Sequence, residues 1–265
     1  MGDQGTEPDR QERWRSRLDR QAGRPRREPI TLERIVDVSF AIMAKDGYEA
    51  LSMRRIAQQL GTGPASLYAH VASKAELDSI LIDVMASEFE PPEPDPERWK
   101  EQVSDVGQEM RRAMNQHPGI ARAIMGVVPT SENALAAADS LLGMLLAGGL
   151  HPQVAAWACD LLPLYVTAIS FEENIQNQAG DGRPHSEQEA EFIAELRGFF
   201  GSLPADRFPN IAAHVDEMTT GDGEERFAFG LRVLVEGLEQ VSKQMDESAA
   251  AEPRGSAQQT TGESE

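Results

Sequence analysis

The sequence predicts an all-α fold, with a three-helix unit built on a helix-turn-helix at the N-terminal end and a larger helical domain behind it. Three observations carry that expectation. Apolar residues recur at the three- and four-residue spacing of a helix face, and no segment alternates as a half-buried strand does. Proline and glycine cut the chain into helix-length pieces, with no internal repeat. The stretch 52–74, SMRRIAQQLGTGPASLYAHVASK, reads as two short helices around a glycine turn followed by the start of a third.

In chain order, residues 1–29 are poor in apolar side chains and carry eight arginines between Arg10 and Arg27, so disorder is expected there. Two readings of this arm stay open. It lies along phosphates or enters the minor groove, with Arg24, Arg26 and Arg27 best placed, or it is a solvated tail. The segment 31–47 has Leu32, Ile35, Val36, Phe40 and Met43 on one stripe and ends at Gly47. Ser52 is placed to cap the next helix, whose apolar face is Met53, Ile56, Ala57 and Leu60. Gly61 stands where that helix must stop and tolerates positive φ. Gly63 and Pro64 suit an N-cap and a first helical position, after which Leu67, Tyr68 and Val71 continue the apolar face.

The capping box SKAE at 73–76 opens a long helix with Leu77, Ile80, Leu81, Val84 and Met85 on one face, ended by PPEPDP at 91–96. The boundary between a helix-turn-helix domain at 30–77 and a helical body at 78–243 falls inside this helix. The body is expected to hold helices over 97–116, 118–125, 131–147, 152–178 (bent or interrupted near Pro163), 186–201, 208–218 and 224–241. A polar tail, 244–265, is expected to be disordered.

The order of support helix, helix-turn-helix pair and long connecting helix resembles the TetR family of one-component transcriptional repressors. The resemblance runs from Ile35 through AIMAKDGYEALSMRRIAQQLGTGPASLYAHVASKAEL to Leu77, and SLYAHVASK at 66–74 is its most specific part. The strings HPGIARAIMGVVPT at 117–130 and FPNIAAHVDEMTTGDGEERFAFGLRVLVEGLE at 208–239 are similar to the C-terminal domain of the tetracycline-repressor branch. The resemblance implies a DNA-reading head, a linking helix, an inducer pocket between the fourth and eighth helices, and a homodimer.

In the head, the second helix of the motif should enter the major groove. Pro64, Ala65 and Ser66, taken with Thr62 and Gly63, are small or apolar and suit close approach and thymine methyl contacts more than bidentate guanine readout. Tyr68 and His70 are expected at phosphate or base edges, and the resemblance places both at the DNA surface. Lys74 combines its charge with free backbone N–H groups at a helix start. Arg54 and Arg55, just after Ser52, gain nothing from the helix dipole there, so phosphate contact explains at least one of them better.

The charge distribution agrees. The formal charge is −19, yet residues 10–74 carry 13 Lys and Arg against 7 Asp and Glu, and the remainder 12 against 37. The basic end is where phosphates would be met. A single cysteine, Cys159, excludes an intramolecular disulfide framework and agrees with a reducing cytosol. The polar N-terminus is no secretory signal, and the longest uncharged run, 140–159, is broken by Gly148, Gly149 and Pro152, so a cytoplasmic protein without a membrane span is expected. The five histidines show no HxxH or HExxH spacing, and P-loop, GxGxxG and GxSxG patterns are missing; no enzyme, metal or cofactor is expected.

Candidate pocket residues are Phe89, Trp99, Met110, Met114, Ile124, Met125, Trp157 and Tyr165, bulky and adaptable, each weighed against being ordinary core. Members of the branch that bind a magnesium–tetracycline chelate use a histidine just before the glycine of the first string. That position is matched here by Ile124, which cannot ligate a metal, while Glu172 or Glu173 matches the partner carboxylate. The expected effector is therefore a larger apolar or aromatic small molecule. Dimerisation is expected through Trp157, Leu161, Leu164 and Ala168 on one helix and Phe227, Leu231, Leu234, Val235 and Leu238 on the last. The expected function is a homodimeric repressor on a palindromic duplex operator, released by that effector. The alternatives are a constitutive DNA-binding regulator with a filled core, and a helical enzyme carrying a DNA-binding head.

Overall fold

The computed structural model describes residues 29–126, 128, 130–179 and 185–251, so Arg24, Arg26 and Arg27 lie outside the described residues. Every described element is a helix; no strand occurs among them.

The head begins with α1 (Leu32–Asp46), where the Thr31 hydroxyl accepts from the Arg34 N–H at 3.3 Å. Gly47, at φ 81°, ends α1 and leads through a single 3₁₀ turn, Tyr48–Ala50. The Ser52 hydroxyl accepts from the Arg55 N–H at 3.2 Å and opens α2 (Met53–Gln59). Two reversed hydrogen bonds close α2: Thr62 N–H to the Ala57 carbonyl at 2.9 Å and Gly61 N–H to the Gln58 carbonyl at 3.2 Å. This pattern requires a left-handed residue between them, and Gly61 supplies it at φ 64°. Next come α3 (Pro64–Leu67) and α4 (Lys74–Ser87). The α4 cap is reciprocal: Ser73 accepts from the Glu76 N–H at 3.1 Å, and Glu76 accepts from the Ala72 N–H at 2.5 Å.

The body follows as α5 (Trp99–Gln116), α6 (Ile120–Ile124), α7 (Glu132–Ala147), α8 (Pro152–Ala179), α9 (His185–Gly201), α10 (Pro209–Ala213), α11 (Val215–Met218) and α12 (Gly223–Ala251). Two apolar cores result. The first joins Ile35, Ile42, Met43, Ile56, Leu67 and Val71 of the head to Leu77 and Leu81 of α4, and then to Met114 and to Ile120 and Ala121 of α6. The second joins Trp99 and Val103 of α5 to Leu141, Met144 and Leu145 of α7, to Val154, Leu162 and Val166 of α8, and to Phe227, Leu231 and Val235 of α12.

Two elements depart from the sequence reading, and of the two forms expected for the helix over 152–178 the interrupted one is excluded. Helix α8 runs through Pro163 as one helix: the ring removes one backbone hydrogen bond, and buried Leu162 and Val166 on either side hold the helix in place. The expected helix over 208–218 is split at His214 into α10 and α11. The last helix continues to Ala251, so residues 244–251 of the expected tail are helical. Packing explains the extension, because Ser242 accepts from the His151 N–H at 2.6 Å and Met245 lies against the second core. By length and composition Pro152–Ile175 is apolar enough to cross a membrane. In this fold one face of it is core, through Val154, Ala155, Ala158, Leu162 and Val166.

A largely buried ion pair ties α5, α8 and α12. Arg111 Nη2 donates to Glu173 Oε1 at 2.6 Å and its Nη1 to Glu224 at 2.5 Å, while Asn115 donates to Glu173 Oε2 at 3.0 Å. The guanidinium also sits 4.6 Å from the Phe227 ring centroid. Burial works against the charge on Arg111, but the hydrogen bonds and charges of Glu173 and Glu224 outweigh it and hold its pKa above the ordinary value. Removing one partner leaves the other charge buried and uncompensated. Arg111→Leu is therefore expected to destabilise the protein by about 3 kcal/mol in urea unfolding, and the double change Arg111→Leu with Glu173→Leu to recover most of that loss.

Candidate functional site

The head presents a small, largely uncharged reading surface. Gly63, Pro64, Ala65, Ser66, Tyr68 and His70 are all exposed, with Tyr68 at 54%. Beneath them Leu67 is fully buried and anchors a helix of only four residues. Thr62 is half-buried, its hydroxyl 3.1 Å from that of Ser66. Ser52 serves as the α2 cap.

The three cations of the head are not equivalent. Arg54 is exposed and makes no ion pair among the described residues. Arg55 is bound to Asp46 at 2.5 Å, which offsets part of its charge. The Lys74 ammonium pairs with Asp78 and lies 4.0 Å from the centroid of the Tyr48 ring. Asp78, only 5% exposed, also accepts from the Tyr48 hydroxyl at 2.8 Å. Burial, then the Asp78 hydrogen bond, pushes the Tyr48 phenol far above its ordinary pKa, so it remains a donor. Sequence reasoning missed Asp78, which sits in an i,i+4 relation to Lys74 and was readable on that spacing alone.

The body encloses a cavity of about 490 Å³. Its walls come from α4 (Ile82, Met85, Ala86, with Glu88 and Phe89 beyond its end), α5 (Val106, Glu109, Met110, Ala113, Gln116), Ile124 and Met125, α7 (Ala134, Ala137, Ala138, Leu141) and α8 (Cys159, Asp160, Pro163, Leu164, Thr167). Of the residues expected there, Phe89, Met110, Ile124 and Met125 are on the wall. The other five are elsewhere. Trp99 is buried in the second core against Gly148, where an added Cβ would fall 2.4 Å from its ring. Met114 is fully buried in the first core. Tyr165 stacks on Phe227 at 5.6 Å and donates to the Phe227 carbonyl at 3.1 Å. Trp157 is 63% exposed on the outer surface, and Glu172 is exposed away from the cavity, with Glu173 committed to Arg111. Bulk was the misleading signal. The space is made by alanines at helical spacing in α7, a pattern present in the sequence but not used.

A second apolar feature lies on the outside, a groove of about 360 Å³ bordered by Trp157 and Leu161 of α8 and by Val233, Gly237 and Val241 of α12. This corrects part of the face expected on the last helix. Leu234 and Leu238 border the groove as expected, but Phe227, Leu231 and Val235 are core, while Phe229, Val233 and Val241 point outward at 60, 51 and 47% exposure. The helix is apolar on two sides, and periodicity alone does not tell the inner from the outer.

The cavity and the head share structure. Helix α6 buries Ile120, Ala121 and Ala123 in the head's core, and its end places Ile124 and Met125 on the cavity wall. Helix α4 does the same, with Leu77 and Leu81 in that core and Ala86 on the wall.

Comparison with known proteins agrees with this architecture. Residues 35–77 match the bacterial regulatory proteins of the tetR family, and residues 91–242 match the tetracyclin repressor-like C-terminal domain. The transcriptional repressor DrrR1 of Streptomyces coeruleorubidus is 29% identical over 232 residues, covering 85% of each chain. The tetracycline repressor of class D from Escherichia coli is 23% identical over 212 residues, covering 79% of this chain and 89% of that one. The crystal structure of the TetR family protein ActR of Streptomyces coelicolor in complex with actinorhodin superposes with a TM-score of 0.71 at 38% identity, covering 81% of this chain and 99% of that one. A head that presents a helix-turn-helix, a cavity sharing two helices with it, and matches over both parts lead to one conclusion: the chain belongs to the TetR family of bacterial transcriptional regulators, with a tetracycline-repressor-like C-terminal domain.

Proposed function

We propose that the protein is a cytoplasmic homodimeric repressor that holds a palindromic duplex operator and is released from it by a small molecule bound in the body cavity. The observation that carries this reading is the double duty of α6, whose one side is head core and whose end is cavity wall. A ligand that fills the cavity in one arrangement of α4 and α6 better than in another changes the position of the head by that difference in affinity and no more. The ActR structure carries actinorhodin, which makes a polycyclic aromatic effector the first class to try. The main competing reading, a constitutive regulator with a filled core, is disfavoured by the cavity of about 490 Å³.

Operator binding is measured by fluorescence anisotropy on the DNA flanking the protein's own gene at about 50 and 200 mM salt. Tight, salt-sensitive binding is expected. Arg54→Ala should weaken it on all sequences and lower the salt slope by about one. Tyr68→Ala should weaken specific binding by roughly tenfold without loss of thermal stability, because its side chain is exposed. Lys74→Ala is expected to lower both affinity and stability, since it strips Asp78 of its cation. A saturating polycyclic aromatic effector should release the DNA from the parent protein and not from Met110→Trp, in which the cavity is filled. An effector that binds yet leaves operator affinity unchanged refutes the release mechanism.

The outer groove is the surface proposed to pair two copies, with α8 and α12 of each forming four helices about a two-fold axis. Val233→Glu and Trp157→Glu should each give a monomer in analytical ultracentrifugation. Operator affinity should fall more than tenfold with the loss of the second half-site, while helix content stays that of the parent protein. A dimer that survives both changes places the interface elsewhere.

A further inference from the structure

We propose that the cavity is built for a cationic amphiphile, an aromatic or apolar body carrying a protonated amine, with Asp160 and Thr167 as its polar anchors. The proposal rests on the cavity being an effector site and names the chemistry of what enters it. All charged residues on the wall are acidic, namely Glu88, Glu109 and Asp160. Two of them are already matched from outside the wall, Glu88 by His117 at 3.2 Å and Glu109 by Arg112 at 2.7 Å. Asp160 has no ion-pair partner among the described residues.

Thr167 is an independent observation. It lies on the same wall at 2% exposure, and its hydroxyl has no hydrogen-bond partner among the described residues. A buried hydroxyl without a partner is costly unless something else completes it. Between these two, Pro163 has no N–H to give the Cys159 carbonyl one turn back. Asp160, Pro163 and Thr167 follow at the spacing of one helix face, so α8 sets a carboxylate and an unpartnered hydroxyl on one stretch of the cavity wall. The carboxylate accepts only, and the hydroxyl can accept. The complement of this pair is a ligand that carries N–H donors. An anionic ligand would meet no cation on this wall, and it would have to approach a body in which acidic side chains outnumber basic ones threefold, 37 against 12 outside residues 10–74.

Three tricyclic probes of one size separate charge from shape: 9-aminoacridine, a cation at neutral pH, neutral acridone, and anionic acridine-9-carboxylate. Each is titrated calorimetrically, without DNA, into the full chain and into Asp160→Asn, Thr167→Val and the cavity-filled Met110→Trp. The expected order is the cation tightest and the carboxylate weakest, at least tenfold apart. Because Asp160 is exposed at the rim, Asp160→Asn should shrink the cation's advantage over acridone by roughly three- to tenfold, leaving acridone itself unaffected. Thr167→Val, close in shape, should weaken the cation without altering the fold, and Met110→Trp should abolish binding of all three. Equal or tighter binding of the carboxylate, or an Asp160→Asn protein with the full cation preference, overturns the proposal, as does failure of all three probes to bind. Operator release by each probe is read separately on the same preparation, against a control of DNA without protein that reports intercalation. Selective cation binding without any operator release would support the charge assignment and refute the release reading, whereas release without cation preference would do the reverse.

Discussion

A seven-residue helix and a four-residue helix cannot hold themselves in water, and the reading head consists of little else beyond α1. What keeps Pro64, Ala65 and Tyr68 in a fixed array is the burial of Leu67 and Val71 in an apolar core that also takes in residues far along the chain, Met114 and Ile120 among them. The head is thus an outgrowth of the body's core. Its orientation is set by α4 and α6, the two helices that also bound the cavity. Coupling between a ligand and DNA needs no further device than this shared packing, because close-packed interiors shift between discrete arrangements and do not deform smoothly.

The body solves a different problem, that of keeping a void open. Small side chains in α7, with Ala113 of α5, leave the space. The Arg111–Glu173–Asn115 cluster and the Tyr165–Phe227 stack hold α5, α8 and α12 together on one side of it, so the walls do not collapse inward. The outer stripe of Phe229, Val233 and Val241, with Trp157 on α8, leaves apolar area exposed on a single chain, area whose removal from water is worth about 25 cal/mol per Å².

Much of this architecture was legible in the sequence, and the reasons differ by element. The turn at Gly61, the caps at Ser52 and Ser73 and the stop at Gly47 depend on local chemistry, which a single sequence carries in full. Periodicity found the helices for the same reason. It did not find their partners: α12 shows apolar residues on two sides, and only the packing of Phe227, Leu231 and Val235 against α5 and α8 reveals which side is core. The cavity was the least legible part, because a wall is recognised by what is missing. Trp99 and Met114 are large and are therefore used to fill space, whereas Ala134, Ala137 and Ala138 are small and therefore leave it.

The sharing of α4 between head and cavity also bears on how such a regulator diversifies. A change at Ile82 or Met85 alters the ligand's surroundings and the head's packing together, since both residues belong to the first core as well as to the wall. Ala134, Ala137, Ala138, Pro163 and Thr167 touch the ligand space and lie outside that core. On the release mechanism proposed above, selection for a new effector can therefore travel through α7 and α8 with little disturbance of the head, and drift in that half of the pocket is the less constrained evolutionary route to a regulator that answers a different chemical signal at the same promoter.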